Sequence, residues 1–456
     1  MRIFIIGAGP GGYETALAAR KHGFEVILAE SGQVGGTCLN AGCIPTKAYC
    51  RTAEILEEVR HSSAFGITAG EPVLDFGSLR KRKDDIVSGL RSGIESMLGN
   101  AGVRLVRGRA VFRDSGTVEV EGEKFPADYI IVATGSAPAI PDFPGNDLTG
   151  VVDSTALLDS AELPGRLCII GGGVIGLEFA SVFRSFGSEV TVVEFCKEIL
   201  PAFDQDIARR LRQSLSKRGV VFSLQSMVQS VEPCAGGGLK TNWIRKSVQE
   251  SCEADLVLVA TGRRPCCEGL HPEAAGIALS DKGAIMTDDR MRTSVPHIYA
   301  IGDVNGRQLL AHAASAQGKV ALDSILSEIS GREKEDSRVA EDALSVMPSA
   351  VFTMPEAASV GLSEESCKEK GISFRVLKSF FRSNGKAVCM GETDGLCKIL
   401  VSSEDNKILG CHVLGPHAAD LVQEVSVLMA AGVSAETLRR AVHIHPTLGE
   451  VLQSGF

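Results

Sequence analysis

Two stretches decide the fold: RIFIIGAGPGGYETALAARKHGFEVILAE (residues 2–30) and LCIIGGGVIGLEFASVFRSFGSEVTVVE (residues 167–194). Each reads as a short apolar strand, a glycine turn, a helix, and a second strand that closes on an acid. In the first copy RIFII leads into GAGPGG (7–12), YETALAARKHG (13–23) is the helix, and FEVILAE ends on Glu30. In the second, LCII leads into GGGVIG (171–176), LEFASVFRSFG is the helix, and SEVTVVE ends on Glu194. The acid stands at the same distance from the third glycine in both. A further shared piece follows each unit, DYIIVATGSAP (128–138) and DLVLVATGRRP (255–265). Two elements repeating in one order make coincidence improbable.

The glycines have geometric reasons. The first of each set, Gly7 and Gly171, permits a tight turn. The second, Gly9 and Gly173, lets the backbone approach a pyrophosphate, and the third, Gly12 and Gly176, lets helix and strand pack closely. The helix N-terminus offers free N–H groups and a partial positive charge to phosphates. Glu30 and Glu194 can each accept hydrogen bonds from ribose hydroxyls. One such motif is a weak signal. Two, each between strands and each with its acid, predict two dinucleotide sites on one chain.

Composition excludes several classes. The chain has 456 residues, enough for roughly three domains. A net charge of −9 without a basic stripe argues against nucleic-acid binding. Thirteen cysteines, scattered and odd in number, do not form a secreted disulfide framework. A reducing compartment is expected, where any disulfide is more often catalytic than structural. The apolar run at the start passes straight into glycines with no cleavage site, unlike a signal peptide. The run 167–183 carries Glu178 and four glycines and is too short to span a membrane. The cytoplasm is the expected location.

Beyond residue 265, TSVPHIYAIGDV (293–304) reads as a strand ending in Gly-Asp, and LLAHAASAQGKVALDSI (309–325) as a helix. The polar SGREKEDSR (330–338) is the expected linker. The last part predicts an α+β domain without a nucleotide signature. It comprises a short capped helix at 363–371, a hairpin over 397–415, and a helix at 419–432 with Leu421, Val425, Leu428 and Met429 on one face. Between the two repeats lies GGTCLNAGCIPTK (35–47), with Cys38 and Cys43 inside a Gly-rich segment. Spacing alone leaves a metal site, a staple and a reactive pair open. Zinc needs further ligands that the neighbourhood does not supply, so no metal site is expected.

The motif set GGTCLNAGCIPTK, ATGSAP, GGGVIGLE, ATGRRP, YAIGDV, LLAHAA and HIHPTLGE resembles the flavin-dependent pyridine nucleotide–disulfide oxidoreductases, over essentially the whole chain and in that family's order. CIPTK and HPTLGE are similar to the dihydrolipoamide dehydrogenase branch. The C-terminal EVLQSGF lacks the extra cysteine pair of mercuric reductases. Two positions depart from the pattern: Cys266-Cys267 after GRRP, expected to be buried thiols rather than a second redox pair, and Gly449 where serine is common.

The resemblance implies an α/β fold with two Rossmann-like domains, for FAD and NAD, and a C-terminal α+β dimerisation domain. The expected boundaries are 1–142 and 265–336 for the two parts of the FAD and central domain, 143–264 for NAD, and 337–456 for dimerisation. It implies that the first unit takes FAD, with Glu30 on the adenosine ribose. Thr37, Thr134, Gly135 and Ser136 then lie near the cofactor, and Asp303 sits on the ribitol. Leu309, Leu310, Ala311 and His312 line the isoalloxazine end, and the Ala110 backbone reaches the adenine. Glu194, with Gly262 near by, favours NAD over NADP, because a carboxylate repels a 2′-phosphate and no arginine adjoins it. Lys197 is expected to be a solvated surface lysine.

By the same resemblance Cys43 faces the flavin as the charge-transfer thiolate, Cys38 meets the substrate, and Lys47 pairs with Glu178. A helix following the cysteines, with Lys47, is expected to favour a thiolate. His445, oriented by Glu450, is the base, supplied from the partner subunit of a homodimer. His443 is expected either to support it or simply to pack. The implied reaction is oxidation of dihydrolipoyl groups with NAD⁺. The host is a 2-oxo acid dehydrogenase or glycine cleavage complex that bears the lipoyl groups. The alternatives are an NAD(P)H-dependent reductase of another disulfide or a metal ion, or a docking component of a lipoyl-bearing complex.

Overall fold

A computed structural model describes residues 1–331 and 344–456. Most of the expected linker at 330–338 therefore lies outside the described residues. The chain divides into two compact units. The first comprises residues 1–48, 80–139 and 263–345, and the second 49–79, 140–262 and 346–456.

The first unit is built on a five-stranded parallel sheet in the order Ile298–Ala300, Tyr129–Val132, Arg2–Ile6, Glu25–Glu30, Arg104–Arg107. The glycine-turn strand is central. Its residues Ile3 to Ile6 are buried on both faces, as a near-continuous apolar run predicts for a parallel strand. Ile3 and Ile5 join a cluster with Ala16, Leu28, Ile131 and Ile325, whereas Phe4 and Ile6 join one with Phe112, Val118 and Ile298. The helices Pro10–Lys21 and Ala311–Ser330 cover the first face. They pack closely enough that a Cβ on Gly318 would sit 2.0 Å from Thr15 Oγ1. A small antiparallel sheet, Ala110–Asp114, Thr117–Val120 and Glu123–Pro126, covers the other.

The second unit repeats the plan. Its parallel sheet runs Val221–Leu224, Glu189–Glu194, Arg166–Ile170, Leu256–Val259, Val151–Val152, again with the glycine-turn strand in the middle. Helix Val174–Phe186 is nearly all buried and ends on Gly187 in the left-handed region. A three-stranded antiparallel sheet, Ser226–Pro233, Leu239–Arg245 and Val248–Ala254, packs on the opposite face through Cys168, Ile170, Val193 and Trp243.

The C-terminal part of this unit is a five-stranded antiparallel sheet in the order Ser349–Val351, Ala357–Gly361, Ile408–Leu414, Leu396–Ser402, Phe374–Phe380. The expected hairpin is its core. Helix Ala418–Ala430 lies on it with Leu421, Val422 and Val425 buried, and Leu428 and Met429 partly so. The short helix Glu364–Glu369 is capped by Ser363, whose side chain accepts from Ser366 N. Among the described residues no helix is long and apolar enough to cross a membrane.

Candidate active site

The two glycine turns match atom for atom. Gly7 and Gly171 have φ of +103° and +112°, and a Cβ on either would fall 2.4 Å from the carbonyl of Ala133 or Ala260. A Cβ on Gly12 would lie 1.8 Å from Gly7 O, and on Gly176 2.1 Å from Gly171 O. Those four glycines are required by the chain itself. Gly9 and Gly173 are different. The nearest atom to a Cβ on Gly9 is 3.9 Å away, and none lies within 4 Å on Gly173. Among the described residues nothing excludes a side chain there, so a ligand can approach the backbone on that side.

The acids are anchored alike. Glu30 accepts from Ala8 N at 2.7 Å and Gly32 N at 2.7 Å. Glu194 accepts from Gly172 N at 2.5 Å and Cys196 N at 2.6 Å. Each carboxylate oxygen takes one backbone donor and keeps acceptor capacity for a ribose hydroxyl. Phe195 and Lys197 beside Glu194 are exposed, and no arginine adjoins it. Glu178 is 5 % exposed and accepts from Phe352 N at 3.0 Å. Lys47 stands in the first unit and Glu178 in the second.

The two ATG segments meet. Strands Ser136–Pro138 and Arg263–Pro265 pair antiparallel, and Cys266 N donates to Gly135 O at 2.9 Å. Ser136 Oγ donates to Asp303 at 2.5 Å. Arg263 clamps Ser136, with Nε donating to its hydroxyl at 2.7 Å and a guanidinium N–H to its carbonyl at 2.6 Å. Sequence reading missed Arg263. Its signal was present in GRRP, but the partner lies in the other copy of the repeat. Gly135 and Gly262 both have positive φ and open space at the Cβ position. Asp303 lies on the short turn Gly302–Asn305, which Gln317 fixes by accepting from Gly302 N and Asn305 Nδ2. Leu309 is 45 % exposed, Leu310 is the N-cap of helix Ala311–Ser330, and Ala311 and His312 open that helix. Ala110 is buried, and Gly108 near it donates to Glu30 O at 3.0 Å.

The cysteine motif is tied to the first turn. Gly35 N donates to Ala8 O at 2.8 Å, and a Cβ on Gly36 would be 2.7 Å from Gly9 Cα. Thr37 and Cys38 lie on the short helix Gly36–Ala41. That helix ends at Gly42, and Cys43 opens the long helix Cys43–Arg60. Cys38 and Cys43 are free thiols in contact. Their shared hydrogen bond, with burial, holds the Cys38 thiol well above its ordinary range, although Lys47 pulls the other way. The two thiols sit differently: Cys38 is the more buried, while Cys43 occupies a helix N-terminus, where negative charge is favoured. The expected lowering by Lys47 is real at Cys38 but outweighed.

At the C-terminus His445 Nδ1 and Glu450 Oε1 are 2.9 Å apart. Glu450 also accepts from Thr447 N at 3.0 Å, completing a capping box on the turn Leu448–Leu452. The His445 hydrogen bond, then the Thr447 amide, hold the Glu450 carboxyl below its ordinary range. The imidazole is 78 % exposed, with Nε2 turned away from the carboxylate. His443 is instead 10 % exposed and bonded to Glu424 at 3.0 Å. Gly449 adjoins it, and a Cβ there would lie 3.2 Å from His443 Cδ2, so glycine leaves room for that ring. Cys266 and Cys267 are free and only half-buried, rather than buried as expected. Burial pushes the Cys267 thiol up to about 11.

Residues 1–318 match the family described as pyridine nucleotide-disulphide oxidoreductase, and residues 347–455 match its dimerisation domain. The chain belongs to the pyridine nucleotide-disulphide oxidoreductases. It is 39 % identical over 453 residues to a dihydrolipoyl dehydrogenase of Chlamydia muridarum, covering 98 % of this chain and 94 % of that one. It is 37 % identical over 452 residues to dihydrolipoyl dehydrogenases of Staphylococcus aureus and Geobacillus stearothermophilus, covering 98 % of this chain and 94 % and 93 % of theirs. Among solved structures, the HOCl-induced flavoprotein disulfide reductase RclA from Escherichia coli superposes with a TM-score of 0.87 at 31 % identity, covering 99 % of this chain and 98 % of that one.

The cofactors of this oxidoreductase are FAD and NAD, and the residues fit both. Thr134 Oγ1 is buried with no partner among the described residues. It stands between the glycine turn and the Ser136–Asp303 pair, as an atom awaiting a ligand would. Gly9 and Gly135 also leave their Cβ positions open, so a ligand can approach the backbone there. Among the described residues no group of three or more His, Cys, Asp or Glu is placed to hold a metal ion.

Proposed function

We propose that this enzyme oxidises dihydrolipoyl groups to lipoyl groups with reduction of NAD⁺, working through Cys38 and Cys43. The observation that carries the reading is the Cys38–Cys43 contact, tied to the first glycine turn, with Cys43 at the N-terminus of a long helix. In the oxidised enzyme the two are a disulfide. A substrate thiolate attacks Cys38 Sγ, and Cys43 leaves as the thiolate that its helix position favours. His445 Nε2 takes the proton from the second substrate thiol, and Glu450 stabilises the imidazolium through Nδ1. The new thiolate closes on the substrate's own sulfur, and Cys38 leaves and is reprotonated. FAD held beside Cys43 would supply the two-electron acceptor that links the thiol pair to the nicotinamide.

We assign the FAD ribose to Glu30, its pyrophosphate to Gly9 with the N-terminus of Pro10–Lys21, and its ribitol to Asp303. Thr37, Thr134, Gly135 and Ser136 lie along it, with Ala110 at the adenine and Leu309 to His312 at the ring. Lys47 pairs with Glu178 beside it. NAD takes Gly173, Glu194 and Gly262. The domains run 1–142 with 265–336, 143–264 and 337–456. The enzyme is a cytoplasmic homodimer whose second copy supplies His445. Its host is a lipoyl-bearing 2-oxo acid dehydrogenase or glycine cleavage complex.

A second reading, reduction of another disulfide or a metal ion, is favoured by the likeness to RclA, which is also known as a Cu(II) complex. Steady-state turnover separates the two. Lipoamide should be used well with NADH, and oxidised glutathione, Cu(II) and NADPH poorly. Efficient use of Cu(II) with little lipoamide turnover would overturn the first reading.

A further inference from the structure

Cysteine arithmetic singled out one reactive pair, but the fold makes others. Cys397 and Cys411 meet inside the C-terminal sheet, each at most 1 % exposed, where no solute reaches them. Cys168 and Cys252 are different. Cys168 is fully buried on the central strand Arg166–Ile170, three residues before the glycine turn. Cys252 is half-buried on Val248–Ala254, the edge strand of the antiparallel sheet, and packs on the same cluster. The two segments are laced together. Arg166 N donates to Asp255 at 2.8 Å, Asp255 N to Arg166 O at 2.9 Å, and the guanidinium pairs with Asp255 at 2.9 Å and Glu253 at 3.2 Å. Thr191, the register partner of Cys168 on the neighbouring strand, hydrogen-bonds to Cys252.

We infer that Cys168 and Cys252 form a second redox pair, a hydroperoxide-sensitive site that closes to a disulfide and weakens nicotinamide binding. Cys252 is the attacking thiol. Its hydrogen bond from Cys168, and Arg166, hold it below the ordinary thiol range against the opposing effect of burial. The Cys252 thiolate attacks the peroxide O–O bond, becoming a sulfenic acid and releasing water or an alcohol. Cys168, already in contact, attacks that sulfur, and a second water leaves. The balance is two thiols and one hydroperoxide giving one disulfide, one alcohol or water, and one water.

A bond of about 2 Å between these sulfurs draws the two strands together. Cys168 lies on the strand that aims Gly171 and Gly173, and Glu194 grips the same turn through Gly172 N. Cofactor affinity is therefore the property that changes, a consequence that rests on assigning NAD to this turn.

The test uses FAD-loaded, full-length enzyme isolated with the Cys38–Cys43 disulfide closed. It is titrated with hydrogen peroxide and mapped by non-reducing peptide mass spectrometry. A peptide linking Cys168 to Cys252 should appear near stoichiometric peroxide. KM for NAD⁺ should rise about tenfold with kcat nearly kept, a loss of the size small misplacements produce. A dithiol should reverse it, and Cys252→Ser should prevent it without changing basal turnover. Cys168→Ser should leave a sulfenic acid at Cys252; if that variant folds poorly, Cys252→Ser carries the test. Oxidation of other thiols with no 168–252 link overturns the pair. A link with unchanged KM overturns the control of NAD binding. Failure of lipoamide turnover in untreated enzyme would instead strike the proposed function, leaving the link intact.

Discussion

His445 is fixed at one nitrogen and open at the other, the arrangement a general base needs. Replacing it by glutamine should lower lipoamide turnover by about 10²–10⁴-fold, leaving flavin content and thermal stability alone. Stopped-flow reduction by dihydrolipoamide checks this. Glu194 holds its own loop through the Gly172 and Cys196 amides, and on the proposed assignment it also faces the ribose. Glu194→Ala removes charged hydrogen bonds worth about 1.5–3 kcal/mol each, so KM for NAD⁺ should rise roughly ten- to a hundredfold. The ratio of NADPH to NADH use should rise with it, and kinetics with both cofactors reads the change. Glu178 shows how far a single residue can be read. An acid within an apolar helix signals a partner, yet the amide it finds, Phe352 N, comes from 174 residues away.

Among elements, the two strand–turn–helix units were legible because the constraint on each turn's third glycine is local. The carbonyls that forbid a Cβ on Gly12 and Gly176 belong to the same turns. Gly12→Ala should therefore lose flavin, and Gly176→Ala should keep flavin but bind NAD⁺ at least tenfold more weakly, given Cβ contacts no rotamer can relieve. Flavin absorbance per protomer and titration with NADH distinguish the two. The clamp of Arg263 on Ser136 was not legible, since it joins equivalent strands from different copies of the repeat. Sequence periodicity describes each strand but not which strand it meets. The meeting of Cys252 with Cys168 was hidden for the same reason.

For the molecule as a whole, the second unit holds a charge cluster, drawn from residues 204–206 and from its C-terminal part, that no sequence motif announces. Lys398, 1 % exposed, pairs with Asp204 at 2.9 Å, Asp206 at 3.0 Å and Glu364 at 2.7 Å, and Asp204 is fully buried. Lys398→Met strands those carboxylates and should cost about 3–5 kcal/mol, seen as a lower Tm. Burial opposes ionisation of Asp206, but hydrogen bonds from Lys378 and Lys398 hold it down at about 2. A depressed carboxyl stabilises the fold above its unfolded value of ~3.9 and loses that contribution as pH falls toward the folded value. Asp206→Asn should thus flatten the fall of Tm between about pH 4 and 2, which a calorimetric pH series measures.

The first unit is drawn from three separated stretches, 1–48, 80–139 and 263–345. A ribosome delivers them in that order, with the nicotinamide sheet emerging in between. The edge strand Ile298–Ala300, Asp303, to which we assign the ribitol, and the covering helix Ala311–Ser330 all arrive late. On the proposed assignment, flavin capture belongs to the last third of synthesis, after the second glycine turn can already fold. A nascent chain arrested before residue 263 carries the cysteine motif and the first glycine turn without the groups that close the flavin site. On that assignment, flavin acts on a chain whose C-terminal sheet is still to be made.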